Sequence, residues 1–552
     1  MENKIITPTQ LWSNYDPLLE PLRPSFLNCV DNNNYTSFDI FINGDKYDND
    51  NVRIYINAHI PKIVKGVSVI FIGGYFGNPN QNLINSLLKQ GVSFFSFDYS
   101  GEQNKPYYTK YPKEISYCNI AKAGDHLKKA IPTSQDTCIF NWCKLARKVI
   151  NLVKQMNGDD TKIILIGAKE GADIAIQTAA VDNRIDGLVS ILNMGWKEYM
   201  EYSEFDSSKT ISLDDERKRW FVANATHSYV KFINCPTLFL GSTNSNFTSV
   251  DRLDNALNLI RQNNIPVYQS LCPGLTSSVT DNEFNLLLKW IKSYITSSTL
   301  PVCPDLAFSI NNENELIANV NFYENDPIQE ITLYYAYDEI DSILRNWKSI
   351  SLSLSSKNCQ IPVFDNTKLV CAYISVKYKG DYTLSSLPEY CVIKQNKRIL
   401  TQKPKKTKII YQKNLGIQSW YVDNINNTFE EIKPIIKTGG LDINGISAQN
   451  GDLFTYSIQE SGYQFTPENL LKFDLYSSQD RDVTIVITAG IFGSHHNYYS
   501  TVHVNKDEWT KCSLKVTDFK SSSLVPLKSW SNIKKLTIKN INGAVLTNVL
   551  WV

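Results

Sequence analysis

The sequence predicts a chain that begins as α/β and ends as all β: a doubly wound sheet, then a small β-sandwich, then a jelly roll. Three observations predict it. From Gly66 to Ile295, buried-looking strand runs alternate with longer segments of helical period, the pattern of a mostly parallel sheet covered on both faces. Leu300-Pro301-Val302-Cys303-Pro304 then breaks the pattern with closely spaced prolines. Beyond it the helical period disappears, and short strands with turn-like separators take over.

Taken in order, residues 1 to about 60 form a lead-in. There Phe38–Ile42 and Val52–Ile56 alternate as strands do, with Gly44 and Asn49 to Asn51 between them, so an antiparallel hairpin is expected. Val67 to Ile72 reads as a buried strand, Gly73-Gly74-Tyr75-Phe76-Gly77-Asn78 as a glycine-rich loop, and Asn82 to Gln90 as a helix stopping at Gly91. Val92 to Tyr99 is the next strand, and Ile139 to Met156 carries Trp142, Leu145, Ala146, Ile150 and Val153 on one helical face. Ile163 to Ile166, Gly187 to Leu192, Pro236 to Gly241 and Pro266 to Leu271 are further strands, and Phe284 to Ile295 is a closing helix. The expected units are 1–300, a β-sandwich over 301–400, a basic, solvated linker over 401–408 and a jelly roll over 409–552.

Composition sets limits on function. At 552 residues the chain is long enough for three or four units of about 150 residues each. A net charge of +1 with interspersed signs argues against a nucleic-acid surface. No apolar run at the start has signal-peptide length, and none elsewhere approaches the roughly 18 residues of a membrane span, so neither is expected. The cysteines number eleven, with no Cys-x-x-Cys pair and no zinc spacing. Reduced thiols in the cytoplasm, with no metal and no cofactor, are the expectation.

The informative stretch is Lys162 to Asp173. A four-residue apolar strand runs into Gly167-Ala168-Lys169-Glu170-Gly171 and then into an Ala/Ile-rich helix. This strand–turn–helix has the form of the G-x-S-x-G nucleophile elbow, with lysine in place of serine. Together with Val69-Ile70-Phe71-Ile72-Gly73-Gly74, Phe97-Asp98-Tyr99-Ser100-Gly101 and Ala180 to Ile185, in that order, it makes residues 1–300 resemble the α/β-hydrolase superfamily. The branch is that of acetyl xylan esterases, dienelactone hydrolases and cocaine esterases. The resemblance implies a carboxylic-ester hydrolase fold whose active members carry a nucleophile, then an acid, then a histidine. The end of the chain, Ile541 to Trp551, is similar to galactose-binding-like jelly rolls.

That machinery is degenerate here. Lys169 stands at the nucleophile position, and a lysine amine, which ordinarily titrates at about 10.4, attacks a carbonyl only when deprotonated. Its product with an ester is a stable amide, so turnover would stall. The acid position maps to Ser245; Asp251 follows late and reads as a helix cap. The histidine position maps to Thr276, in a loop without an imidazole. The six histidines are His59, His126, His227, His495, His496 and His503, and none lies between His227 and His495, where the base belongs. His126 and His227, with Glu170 and the Asp214-Asp215-Glu216 stretch, are the candidates for a rebuilt cleft. Gly73, Gly74 and Tyr75 form the oxyanion-hole-like loop.

His495, His496 and His503 read as a solvated hairpin, since neighbours on a strand face opposite ways. Trp509, Trp530 and Trp551, with Tyr498 and Tyr499, are either core or a sugar-stacking platform. The reading that follows is a hydrolase-fold protein with a lost triad that binds a small molecule, carbohydrate or protein partner. Its alternatives are an active ester hydrolase with a rearranged site and a carbohydrate-binding protein acting through the jelly roll.

Overall fold

Nine strands form the first sheet: β1 (Ser25–Asp31), β2 (Tyr35–Tyr47), β3 (Asp50–Pro61), β4 (Val67–Ile72), β5 (Ser93–Phe97), β6 (Lys162–Ala168), β7 (Gly187–Ile191), β8 (Thr237–Ser242) and β9 (Val267–Cys272). The structure is a computed structural model and describes residues 4–552 except 76, 78, 102–104, 201, 203–204, 206–211, 324–325, 394–398, 425–426, 464 and 467. Phe76 and Asn78 of the glycine-rich loop therefore lie outside the described residues. The strand order is β1-β2-β3-β5-β4-β6-β7-β8-β9. β1 to β3 and the β3–β5 pair are antiparallel, and the rest are parallel.

Among the described residues, seven α-helices accompany the sheet: α1 (Pro8–Trp12), α2 (Gln81–Lys89), α3 (Cys138–Asn157), α4 (Glu170–Val181), α5 (Asp215–Ala223), α6 (Leu253–Arg261) and α7 (Asp281–Thr296). α2 and α7 pack on one face of the parallel strands and α3, α4 and α6 on the other. Covered on both sides, β4 is buried at all of its positions, as a parallel strand between helix layers must be. This is the doubly wound sheet the sequence predicts. The expected hairpin is present as β2 and β3, but it joins the main sheet and adds the edge strand β1. Every residue of β1 is exposed, so no apolar alternation announced it.

Beyond residue 300 every strand pair among the described residues is antiparallel. Asp305–Ile310, Leu316–Asn321 and Asn358–Gln360 make a three-stranded sheet. Lys348–Leu352, Ile328–Tyr337, Leu369–Tyr378, Tyr382–Ser385 and Glu389–Val392 make a five-stranded one. One apolar core runs unbroken from Leu238 and Leu287 of the first sheet's layer to Leu316, Ile331 and Val376. The α7 capping box extends the contact: Glu283, buried, accepts from Thr280 and Ser270 and from Thr383 Oγ1 at 3.0 Å in the five-stranded sheet.

The last sheets enclose a separate core that includes Trp420, Trp530 and Trp551. Trp530 donates to Asn469 O at 2.9 Å, and Trp509 donates to Gly440 O beside Tyr476. Trp530 and Trp551 are buried against each other, edge to face with ring centres 4.8 Å apart, and so belong to the core. The basic stretch 401–408 has exposed lysines at 403, 405, 406 and 408, but its backbone is tied down at both ends: Gln402 N donates to Val363 O, and Trp551 N to Lys408 O.

Asp251 corrects a sequence expectation. It does not cap a helix. Its carboxylate takes both Arg345 nitrogens, Nη2 at 2.7 Å, and the Tyr390 hydroxyl at 2.5 Å. Arg345 and Asp251 are both buried, so this ion pair fastens the five-stranded sheet to the loop after β8. A buried pair is costly to break from one side, because the remaining charge is stranded. Arg345→Ala is expected to lose about 3–5 kcal/mol, read as an earlier first transition in urea. Arg345→Met combined with Asp251→Leu is expected to recover part of that loss.

Candidate functional site

The site is built where β6 runs into α4. The β4–β6 register sets Ile72 opposite Gly167, which brings the Gly73-Gly74-Tyr75 loop beside the turn. Gly171 is forced by this packing: a Cβ there would lie 2.2 Å from Gly73 O and 2.3 Å from Ile72 O. At Gly167 a Cβ would lie 2.5 Å from Ala172 Cα. Between them Lys169 sits at φ 57°, ψ −123°, a conformation that costs a non-glycine residue about 1–3 kcal/mol. The turn is held by Lys169 N donating to Ile191 O at 3.0 Å and by Asn193 Nδ2 donating to Lys169 O at 3.2 Å. The strand–turn–helix thus keeps a tight, strained bend with a lysine side chain at its tip.

Lys169 is part-buried, and its ammonium lies 5.9 Å from the centre of the Phe247 ring; Lys197 approaches the same ring at 5.7 Å. Desolvation lowers the Lys169 pKa, while Glu170 and Asp423 pull it back up. Glu170 leans against the glycine loop, with Oε2 2.7 Å from where a Gly74 Cβ would be. Tyr75 packs on Tyr99 and Trp142, and burial raises its hydroxyl pKa. Deeper on α4, Asp173 accepts from Thr226 Oγ1 at 2.6 Å and Asn193 Nδ2 at 2.9 Å. Desolvation raises its pKa to about 6 against these donors and Lys197.

The two loops that would complete a triad are engaged elsewhere. Ser245 is buried; its Oγ donates to Leu192 O at 2.9 Å and accepts from Phe247 N at 3.1 Å, so it serves the turn. At the histidine position, the Asp423 carboxylate comes in from the C-terminal sheets. It accepts from Thr276 N at 3.0 Å and Thr276 Oγ1, from Ser277 N at 3.2 Å and from Ser278 Oγ at 3.0 Å. One carboxylate thus clasps the loop through four donors.

The candidate histidines have other surroundings. His126 Nδ1 pairs with Asp136 O at 2.8 Å, and its ring stacks on Tyr117. His227 sits among Trp196, Tyr199 and Phe221. Its Nδ1 is buried without a hydrogen-bond partner, and desolvation lowers its pKa to about 4. His59 Nδ1 faces Ser37 Oγ at 3.1 Å across the β2–β3 ladder. His495 approaches Asp341 and His503 approaches Asp482. Among the described residues, no imidazole hydrogen-bonds to a Ser, Thr or Cys at the elbow or in the loops after β8 and β9. Of the acidic stretch, Asp214 caps α5 and, with Glu216, approaches Lys129.

The glycine loop does border a cleft of about 410 Å³ lined by Tyr55, Asn57, His59, Tyr99 and Tyr107. No group of three or more His, Cys, Asp or Glu residues able to hold a metal occurs among the described residues, and none of their helices is long and apolar enough to cross a membrane. Asn193, Thr226, Phe247 and Asp423 are the site residues that sequence reasoning missed. Asn193 was within reach of it, being a polar residue directly after the apolar run of β7.

Two sets of measurements test this geometry. Lys169→Gly relieves the strained backbone, less about 0.5–1 kcal/mol for glycine entropy, so a net gain of about 1 kcal/mol in urea is expected. The acid–base pair gives opposing slopes. Asp173, at about 6 folded against about 3.9 unfolded, contributes stability that is lost as pH rises through that interval. His227, at about 4 folded against about 6.5 unfolded, contributes stability that is lost as pH falls through its interval. Asp173→Asn is expected to steepen the fall of melting temperature in acid, and His227→Phe to flatten it.

No family model matches the sequence, and no curated protein matches it. Among solved structures, acetyl xylan esterase 1 from Thermoanaerobacterium sp. JW/SL YS485 is similar at 13% identity, covering 53% of this chain and 96% of its own, with a TM-score of 0.38. Acetyl xylan esterase from Paenibacillus sp. R4 is similar at 12%, covering 50% and 90%, with a TM-score of 0.38. A cold-adapted esterase from an Arctic intertidal metagenomic library follows at 13%, covering 49% and 99%, with a TM-score of 0.33. Likeness at that level carries no weight of its own; the mixed nine-stranded sheet and the elbow at the end of β6 are what give the N-terminal half its α/β-hydrolase-like fold.

Proposed function

We propose that this chain is a non-catalytic α/β-hydrolase-fold protein. In this reading its triad positions serve structure, and it binds a ligand or partner through the old cleft and the attached β sheets. The observation that carries the reading is the Asp423 clasp on Thr276, Ser277 and Ser278. A proton relay needs an imidazole presented by that loop toward the elbow. Here the loop presents hydroxyls and amides, and they are spent on a carboxylate from another sheet. The elbow adds an amine whose acyl product does not turn over.

A second reading, an ester hydrolase with a rearranged site, draws on one feature. Asp173, titrating near 6, is hydrogen-bonded to Thr226, which directly precedes His227. This neighbourhood of a carboxyl and an imidazole in the chain is what supports the second reading.

Hydrolysis of p-nitrophenyl acetate separates the two. The first reading expects the parent chain to stay at the uncatalysed background, and Lys169→Ser to stay there too, because a hydroxyl without a base is a poor nucleophile. Turnover in the parent that disappears in His227→Phe or Asp173→Asn would establish the second.

A further inference from the structure

The loop after β9 and a five-stranded sheet of Trp420–Val422, Leu453–Thr455, Ile533–Lys539, Arg481–Ile491 and Ser494–Val504 border an open cavity of about 400 Å³, within the range of small-molecule sites. Lys535, Thr537 and Lys539 project into it from one strand, since alternate residues share a face; Thr488, Asn497 and Phe454 line it from neighbouring strands. The charges around it are mostly committed. Asp423 holds the 276–278 loop, and Lys539 stands 3.8 Å from Asp452.

Lys535 is the exception. Its ammonium lies 3.7 Å from the Phe454 ring centre and 5.4 Å from that of Tyr456. Among the described residues no acceptor lies within hydrogen-bonding or ion-pair distance of it. Desolvation brings its pKa down to about 8; Asp423 and Asp452 oppose that shift and Lys539 adds to it. A ring face attracts the charge but leaves three N–H donors to fill. The residue is half-buried, so water can reach these donors, and a bound anion would replace that water with a charge-assisted hydrogen bond.

We propose that this cavity binds a small hydroxylated monocarboxylate, with its carboxylate on Lys535 and its hydroxyls on Asn497, Thr488 and Thr537. Thr488 Oγ1 donates to Asn497 Oδ1 at 2.8 Å, which orients the Asn497 amide nitrogen as a donor. A phosphate ester fits less well: it carries about −1.5 to −2 charges and would face both Asp423 and Asp452. The site does not depend on whether the elbow is catalytic.

Calorimetric titration of the full chain with gluconate near neutral pH tests this, with glucose and glucose 6-phosphate alongside. Saturable gluconate binding is expected, about tenfold or more tighter than either comparison sugar, and weakened about tenfold or more by Lys535→Met. Asn497→Leu, at an exposed position that leaves the amine in place, is expected to weaken it several-fold. Gluconate is expected to raise the melting temperature of the parent but not of Lys535→Met, which separates lost binding from lost folding. The absence of saturable gluconate binding, equal binding of glucose or of glucose 6-phosphate, or binding indifferent to both substitutions would overturn the assignment.

Discussion

The buried ion pair between Asp251 and Arg345 is the constraint on which the arrangement depends. Taking both charges out of water is expensive, and only good geometry with additional donors offsets it. Here the geometry is bidentate, the Tyr390 hydroxyl adds a third donor, and Asn244 Nδ2 donates to the backbone carbonyls of Ile343 and Arg345. A pair so dependent on its surroundings permits one seating of the five-stranded sheet on the loop after β8. The Asp423 clasp does the corresponding work after β9. The two loops that would carry an acid and a base in an active hydrolase are thus the joints on which the two β parts of the chain are mounted.

The electrostatics around the elbow agree with that division of labour. Glu170 and Asp423 oppose the desolvation that lowers the Lys169 pKa, and Lys197 opposes the desolvation that raises that of Asp173; the Asp173 carboxylate is held by the Thr226 hydroxyl and the Asn193 amide. The carboxylates of Asp251, Asp423 and Glu283 each bridge different parts of the chain.

The parallel strands were legible because burial on both faces favours runs of Ile, Val, Leu and Phe, which β4 and β6 supply apart from Ser68 in β4. α3 and α7 were legible from their period. β1 was not, because a strand exposed along its whole length has no pattern to read. The elbow was legible because steric demands at Gly167 and Gly171 fix two letters of the motif. The site's partners were not. Asp423 is 147 residues from Thr276 in sequence, and Arg345 is 94 from Asp251. Nothing local distinguishes a carboxylate that will meet a distant arginine from one that caps a helix. The burial of Trp530 and Trp551 likewise depends on how two sheets face each other.

The steric lock at Gly167 and Gly171 has an implication for reversibility. The sharp bend at Lys169 is dictated by the backbone of a neighbouring strand and not by whatever side chain it displays, so it persists through changes at its tip. A serine or threonine at that tip would be held in the same bend. A relay built on it would need an imidazole and a carboxylate in two segments that bear the attached β parts, and supplying them there would undock those parts. The joints that seat the sheets thus limit what these loops can present to the elbow.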